Sequence, residues 1–229
     1  MGTYTWGDVL SMISFTNRAY AQDFSPVLAD RAQSALWHAN DWHETLGVLP
    51  PFFLVPFEQD YGSPVTIVPA DFEGLRKADL VCTYNNPSVH LPLNILRYPN
   101  LTEMTGCPTE LGYDQYAHKF RVWPRVPANF GAPQYLIEAT YKKGSTKLTP
   151  TTWAAATVPW DDLHIETVIA VAKLCYYDLV GDQQKFANQF PITQHYIDSM
   201  SADEALNSGD QTIAPTGTLQ LGFGGITLF

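Results

Sequence analysis

The sequence of 229 residues is poor in charged side chains and in cysteine. Only 16% of the residues are charged, against roughly 25% in a typical domain, and this is compatible with a surface partly covered by other subunits. The three cysteines, Cys82, Cys107 and Cys175, are odd in number and have no C-x-x-C spacing. They argue against a disulfide framework or a structural zinc site and favour reduced, buried thiols.

Long apolar runs are also missing, and basic residues are few. No run approaches the roughly 18 residues that cross a bilayer, and the first residues lack the basic and apolar regions of a signal peptide. We expect a protein made and used in a reducing cytoplasm, without a membrane partner. The net charge of −10, from 13 basic and 23 acidic residues, argues against a surface that binds DNA by neutralising its phosphates. It leaves open that duplex DNA passes by without specific binding.

The motifs of common enzymes are absent as well. The sequence has no G-x-S-x-G, G-x-x-x-x-G-K-[ST], G-x-G-x-x-G or H-E-x-x-H. The nearest metal-like group contains His38 and His43, but five residues place them about 140° apart on a helix, so they do not share a face. Asp161, Asp162 and His164 are expected to stabilise the start of a helix through its dipole. The sequence therefore predicts no enzyme, no cofactor and no metal site.

Helical patterns occupy both ends of the chain. Thr5 and Asp8 resemble a capping box, and Ser25-Pro26 predicts the start of a second helix that ends near Gly47. Pro159 opens a third helical region, and a further helix runs to about Met200, interrupted near Pro191. Trp6, Trp37 and Trp42 lie in the helical patterns and are expected in the core, although six tryptophans also leave a carbohydrate-stacking surface open.

The middle of the chain is rich in proline, glycine and β-branched residues. Its candidate strands are Phe52–Phe57, Val65–Val68, Leu80–Tyr84, Tyr116–Trp123 and Gln134–Lys142. The last two are expected to be joined as an antiparallel pair by the long connection 124–133. Five basic residues gather in or after these strands: Arg121, Arg125, Lys142, Lys143 and Lys147. We interpret them as a solvated strand edge that discourages aggregation, with a basic patch for acidic partners or nucleic acid as the alternative.

The last thirty residues differ from the rest. Residues 201–217 are polar, and an apolar segment follows. An exposed apolar strand is costly in water, so we expect it to pair with another chain's sheet edge or to fill a groove; return to its own sheet is the alternative. The predicted partner-binding residues are Leu219, Leu221, Phe223, Ile226, Leu228 and Phe229.

The expected architecture is α+β. A helical body forms from 1–50 and 159–200, a mostly antiparallel β insertion spans 52–148, and 201–229 is an extended C-terminal docking tail.

The order of these parts resembles the neck adaptors, or head–tail connectors, of tailed bacteriophages. The resemblance covers about residues 1–200, apart from Val89–Asp114, which is longer and more irregular than the family pattern. The segments that carry it are Ala35–Trp42, Val65–Phe72, Phe120–Pro127, Leu136–Lys143 with Leu148-Thr149, and Pro159–Phe190.

The resemblance implies a structural virion protein. Such proteins form a ring, usually of twelve copies, beneath the portal protein, where they extend the DNA channel and present a docking surface to tail or nozzle proteins. The expected location is therefore the neck of the virion, reached from the host cytoplasm during assembly. Two alternatives remain: another tail-tube or nozzle component, and a β-rich carbohydrate-binding or hydrolytic module that uses the Trp and Asp residues.

Overall fold

The fold is mixed α+β, as expected. The computed structural model describes residues 2–13, 18–62, 68–83, 89–128 and 135–208, and these contain four α-helices and two mostly antiparallel sheets. The chain divides into two compact units. We call Met1–Glu44 with Ser145–Phe229 the helical unit and Thr45–Gly144 the strand unit.

The helical unit begins with the predicted capping box. The Thr5 hydroxyl accepts from the Asp8 N–H, and the Asp8 carboxylate accepts from the Thr5 N–H at 2.9 Å. This confirms the expected start of the first helix. The helices of the unit are α1 (Trp6–Met12), α2 (Arg18–Ala39), α3 (Ile165–Leu179) and α4 (Gln183–Ser208).

The predicted bounds of the second helix are wrong at both ends. α2 contains Pro26 instead of starting there, since a proline removes only one helical hydrogen bond and the following turns are held by buried side chains such as Leu28. It ends at Ala39, because the Trp42 indole donates to the Leu36 carbonyl at 2.7 Å and so satisfies one of the last free carbonyls. Gly47 lies in a strand.

The two C-terminal helices also differ from their predicted bounds. A short 3-10 turn at Asp162–His164 separates Pro159 from α3. Helix α4 continues through Pro191 without interruption and ends at Ser208, so the expectation of an extended tail is wrong for residues 201–208. Its next turn is held by Thr193, which is buried and donates to the Ala170 carbonyl of α3 at 3.2 Å. Packing against α3 therefore outweighs the local effect of the proline.

The strand unit holds two sheets. The strands are β1 (Leu46–Val48), β2 (Phe52–Phe53), β3 (Asp60–Tyr61), β4 (Phe72–Cys82), β5 (Val89–Pro92), β6 (Asn94–Leu96), β7 (Glu110–Asp114), β8 (Lys119–Trp123) and β9 (Tyr135–Lys143). One sheet has the order β1-β9-β4-β5, with β2 also paired to β9, and the other has the order β3-β8-β7-β6. Among the described strands only β6 and β7 pair in parallel.

The predicted strands are right in part. β8 and β9 lie within or close to the expected ranges, but they are not partners: β8 pairs with β3 and β7, and β9 pairs with β1, β2 and β4. The predicted strand at 80–84 is the end of the longer β4, and only Phe52 and Phe53 of the range 52–57 form a strand. The prediction at 65–68 falls almost wholly on residues outside the described ranges.

An aromatic cluster forms much of the core of the strand unit. Phe120 stacks on Phe52 with 5.9 Å between ring centroids, and Phe72 stacks on Tyr141 at 5.5 Å. Tyr113 packs between them, 4.6 Å from Phe72 and 5.3 Å from Phe120. These side chains come from both sheets, so the sheets share one apolar core.

Candidate functional site

The predicted docking strand lies outside the described residues. This holds for all six of its apolar positions: Leu219, Leu221, Phe223, Ile226, Leu228 and Phe229. The described residues of the strand unit carry two apolar surfaces that another molecule could contact.

A groove of about 670 Å³ opens in the strand unit. One side is formed by residues 73–76 of β4, and the other by 95–99, Leu101 and 113–116. Its volume lies within the range of about 300–1,000 Å³ that is common for binding clefts. It is therefore large enough to receive another molecule.

The groove exists because the chain leaves one sheet for the other. β5 pairs with β4 only at residues 79–82. Leu93 still bonds the Ala78 carbonyl at 2.8 Å, and Asn94 then bonds the Thr109 carbonyl beside the other sheet, also at 2.8 Å. Among the described residues, β4 therefore pairs only with β9 over 72–77, and β6 pairs only with β7. Two strand edges line the groove.

The rim of the groove is unusually apolar and aromatic for an exposed surface. Tyr98, Leu101 and Tyr116 are 69%, 73% and 88% exposed. The Arg97 guanidinium lies over the Tyr98 ring, 5.7 Å from its centroid, where the ring face attracts the cation. The floor includes Leu75, which is buried. Tyrosine, arginine and apolar side chains together are typical of interaction surfaces.

The charges lining the groove balance. Arg76 and Arg97 are offset by Glu73 and Asp114. The Asp114 carboxylate accepts from the N–H groups of Ala117 and Tyr116, at 3.0 and 2.9 Å, and these bonds hold its pKa below the usual value. The groove is therefore suited to an uncharged occupant.

A second apolar surface lies on β2 and the segment after it. Phe53, Val55 and Phe57 are 51%, 43% and 55% exposed. The Tyr61 hydroxyl accepts from the Val55 N–H at 3.1 Å and lies 3.2 Å from the Val55 carbonyl. Because Pro50 and Pro51 also interrupt this edge, it is poorly suited to pairing with another strand.

One acidic residue before α3 makes a tertiary contact as well. The Asp162 carboxylate accepts from the N–H and the hydroxyl of Thr3, both at 2.7 Å, and these bonds lower its pKa. Asp161 makes no side-chain capping bond. The expected interaction of these carboxylates with the helix dipole stays a prediction, and the carboxylate of Asp162 also ties the N-terminal segment to the start of the C-terminal helices.

His38, one of the two histidines before the strand unit, makes a contact within its own helix. His38 Nδ1 lies 2.7 Å from the Ser34 carbonyl, one turn earlier in α2. In the part of the chain that the structure describes, no group of three His, Cys, Asp or Glu side chains could hold a metal ion.

The tryptophans predicted for the core are buried. Trp6, Trp37 and Trp42 are at most 7% exposed, and Trp160 joins them with its ring 6.1 Å from that of Trp37. Trp123 and Trp153 are half-buried. None of the six indoles lies fully exposed.

The interpretation of the basic residues as a solvated strand edge is wrong for Arg121 and Lys142. Arg121 lies on β8, between two strands, and bonds Asp60 through two contacts of 2.5 and 2.7 Å. Lys142 lies on β9, also between strands, and is only 2% exposed; its Nζ donates to the Thr45 hydroxyl at 2.8 Å. Strand pairing therefore places Arg121 and Lys142 inside the sheets, whereas Lys147 is exposed.

The cysteines are free but not uniformly buried. Cys175 is buried, Cys82 is half-buried and Cys107 is exposed. The expectation of buried thiols holds for Cys175 and is wrong for Cys107.

The negative charge is concentrated in one unit. The ranges of the helical unit contain 5 basic and 14 acidic residues, a net charge of −9, whereas the strand unit contains 8 basic and 9 acidic residues, a net charge of −1. Such an asymmetry disfavours contact between two helical units and disfavours a phosphate backbone beside them.

Comparison with models of protein families and with curated proteins finds no match for this chain. Within the described residues, no helix is both long and apolar enough to cross a membrane.

Proposed function

We propose that this chain is a structural adaptor in the neck of a tailed bacteriophage virion. The observation that carries the proposal is the order of its segments, from the aromatic-rich Ala35–Trp42 to the closing helices of Pro159–Phe190. Copies of the chain assemble in the host cytoplasm into a ring beneath the portal protein. The ring extends the DNA channel and receives tail or nozzle proteins.

The charge distribution supports this role. A helical unit with a net charge of −9 repels phosphates, so duplex DNA would pass it without specific binding. A basic surface would hold the duplex by releasing counterions, which is unsuitable for a channel.

The proposal also assigns a role to each part of the chain. The N- and C-terminal helices form the body of the adaptor, the β-rich segment is an insertion, and 209–229 is an extended tail that docks on a neighbouring subunit. The tail contributes apolar side chains such as Leu221 and Phe223, whose burial stabilises the assembly.

The carbohydrate-binding or hydrolytic alternative loses its support. It needed a row of exposed tryptophans beside two facing carboxylates, and four of the six indoles are buried while the other two are half-buried. No observation favours it as a second candidate.

Light scattering tests the proposal. The mass of the purified chain is measured alone and after mixing with the cognate portal protein. We expect a stoichiometric ring on the portal, and we expect removal of 209–229 to leave a folded chain that assembles poorly. If the mass does not change when the portal protein is added, the adaptor role is refuted, and the chain is a later tail-tube or nozzle component instead.

A further inference from the structure

A turn of the strand unit presents a phenylalanine in an unfavourable backbone conformation. The Glu58 N–H donates to the Val55 carbonyl at 3.1 Å, which closes a β-turn of residues 55–58. Pro56 occupies the second position of this turn, and Phe57 occupies the third position with a φ of 64°. A positive φ at the third position is normally adopted by glycine, and it strains a bulky residue. The Phe57 side chain is nevertheless 55% exposed, so burial within its own chain offsets this strain only in part.

The surrounding residues hold the turn in this conformation. The Phe57 N–H donates to the Val126 carbonyl at 2.9 Å. The Tyr61 hydroxyl accepts from the Val55 N–H and also lies 3.1 Å from the Glu58 carbonyl. Backbone strain that the surroundings impose in this way clusters at functional sites. It points to a role for the exposed Phe57 ring outside its own chain.

Phe57 shares an apolar surface with two neighbouring side chains. Phe52 and Leu54 are buried, and because side chains alternate along an extended chain, Phe53 and Val55 point outward together. We call Phe53, Val55 and Phe57 the apolar knob. None of its side chains is charged, which suits the balanced charges of the groove. A cavity of about 150 Å³ can hold a benzene ring, so the groove of about 670 Å³ has room for the whole knob.

We propose that the apolar knob of one copy of the chain docks in the groove of a second copy, against the exposed rings of Tyr98 and Tyr116. The inference rests on the proposed function, in which copies of the chain stand side by side in a ring. It identifies the two surfaces through which neighbouring copies touch.

The topology of the strand unit favours a second copy as the occupant. In the sheet with the order β3-β8-β7-β6, the apolar knob leads into β3 at one edge, whereas residues 95–99 of the groove begin in β6 at the other edge. One kind of contact therefore covers both apolar surfaces of every copy. Contacts between different surfaces of identical chains generate a ring when the rotation closes.

The charges of the two units favour the same contact. The strand unit, which carries both the apolar knob and the groove, has a net charge of −1. Two strand units can therefore approach each other with little repulsion. The helical units, at −9 each, repel one another, which disfavours association through them.

Sedimentation velocity of the full-length chain tests the contact. We expect the wild-type chain to form larger species as its concentration rises. Phe57→Gly removes the ring of the apolar knob, and Tyr116→Ser removes a ring from the rim of the groove. Each substitution should weaken self-association at least about tenfold. Leu163→Ser is the matched control and should associate like the wild-type chain, because Leu163 on the helical unit is 86% exposed and Tyr116 is 88% exposed.

A mixture of the two variants tests whether the contact joins different surfaces. The Phe57→Gly chain keeps an intact groove, and the Tyr116→Ser chain keeps an intact apolar knob. We expect their equimolar mixture to form dimers and no larger species, since the groove and the knob that remain in such a dimer are both altered. A mixture that stays monomeric overturns the inference.

Urea unfolding of the Phe57→Gly chain separates association from folding. Glycine adopts a positive φ without steric cost, so the variant should unfold at an unchanged or higher urea concentration. A lower midpoint would show that the Phe57 ring stabilises its own chain, and it would overturn the role assigned to the ring.

Three results of sedimentation would also overturn the inference. One is a wild-type chain that stays monomeric at every concentration. Another is wild-type association of the Tyr116→Ser chain, which would place the contact outside the groove. The third is a Phe57→Gly chain that associates like the wild-type chain while Tyr116→Ser does not, which would assign the groove to another occupant, such as residues 209–229.

Assembly on the portal protein is scored separately by light scattering. If the wild-type chain associates through the apolar knob and the groove but does not join the portal, the adaptor role alone is refuted. If the Phe57→Gly chain completes a ring on the portal as readily as the wild-type chain, the contact between knob and groove alone is refuted.

Discussion

The indole Nε1 of Trp6 donates a buried hydrogen bond of 2.8 Å to Oε1 of Gln33. The other end of the same amide, Nε2 of Gln33, donates to the Thr146 carbonyl at 2.6 Å. Gln33 is 3% exposed. One side chain of α2 therefore holds both α1 and the segment that re-enters the helical unit after the strands.

Replacing this amide should destabilise the helical unit. Gln33→Leu leaves the Trp6 N–H and the Thr146 carbonyl without partners, and each buried polar group left unsatisfied costs about 1–3 kcal/mol. We expect a loss of about 2–4 kcal/mol in the free energy of unfolding, measured in urea. Gln184→Leu, at an exposed position of α4, is the control and should change it by less than about 0.5 kcal/mol. Equal stability of the two variants would contradict the role assigned to Gln33.

A methyl group at Gly112 should disturb the wall of the groove. A Cβ there would lie 2.7 Å from the Cα of Pro99, which is backbone and cannot turn away. We expect Gly112→Ala to cost about 1–3 kcal/mol, as is usual for overpacking. Gly74→Ala, in open space on the other side of the groove, should cost nothing measurable in the same urea titration. If both alanines are equally harmless, the close approach of Pro99 to β7 is wrong.

Tyr141 should make the strand unit sensitive to alkaline pH. Burial, together with the hydrogen bond from its hydroxyl to Asp71 at 2.9 Å, raises its pKa to about 12, from an ordinary value near 10. Because the folded state retains this proton longer than the unfolded state, the associated stability is present below about pH 10 and is lost as the pH rises toward 12.

The control for this effect is Tyr141→Phe. We expect the free energy of unfolding of the wild-type chain to fall more steeply above pH 10 than that of the variant. Tyr61, whose burial also raises its pKa to about 12, remains in both proteins and supplies a common background. Parallel curves for the two chains would show that Tyr141 titrates alike in the folded and unfolded states.

Cys107 should react with a maleimide much faster than Cys175. Cys107 is exposed and should be modified first, whereas burial of Cys175 raises its pKa to about 12 and removes the reactive thiolate at neutral pH. Mass spectrometry should find Cys175 modified only as fast as the chain unfolds. Cys107→Ser should abolish the fast phase. Modification of Cys175 at the rate of Cys107 would contradict its burial.

The sequence was most informative where structure depends on neighbours along the chain. The capping box of Thr5 and Asp8 and the burial of Trp6 follow from spacing within a few residues. The end of α2 could not be found this way, since it depends on Trp42 folding back to the Leu36 carbonyl. The predicted interruption of α4 near Pro191 was wrong for a similar reason, because the packing of α4 against α3 outweighs the local effect of the proline.

The groove was not predictable from any single segment. Its walls come from 73–76, 95–99 and 113–116, which only the pairing of β4 and β7 with other strands brings together. The sequence held one signal for the groove. The range Val89–Asp114 is longer and more irregular than the pattern of the neck adaptors that the sequence resembles. This range supplies β5, β6 and β7 and the rim residues Tyr98 and Leu101.

The amino-acid sequence by itself determined the α+β class, the core tryptophans, the low and negative charge, and the apolar segment 218–229. Tertiary structure alone decided that β8 and β9 lie in different sheets, that Lys142 is buried and that a groove opens beside β4. The physical reason is the separation in sequence between the residues that interact. Caps, periodicity and charge are set by neighbours along the chain, whereas strand partners, buried charges and grooves are set by residues far apart in sequence, whose contacts compete for the same core.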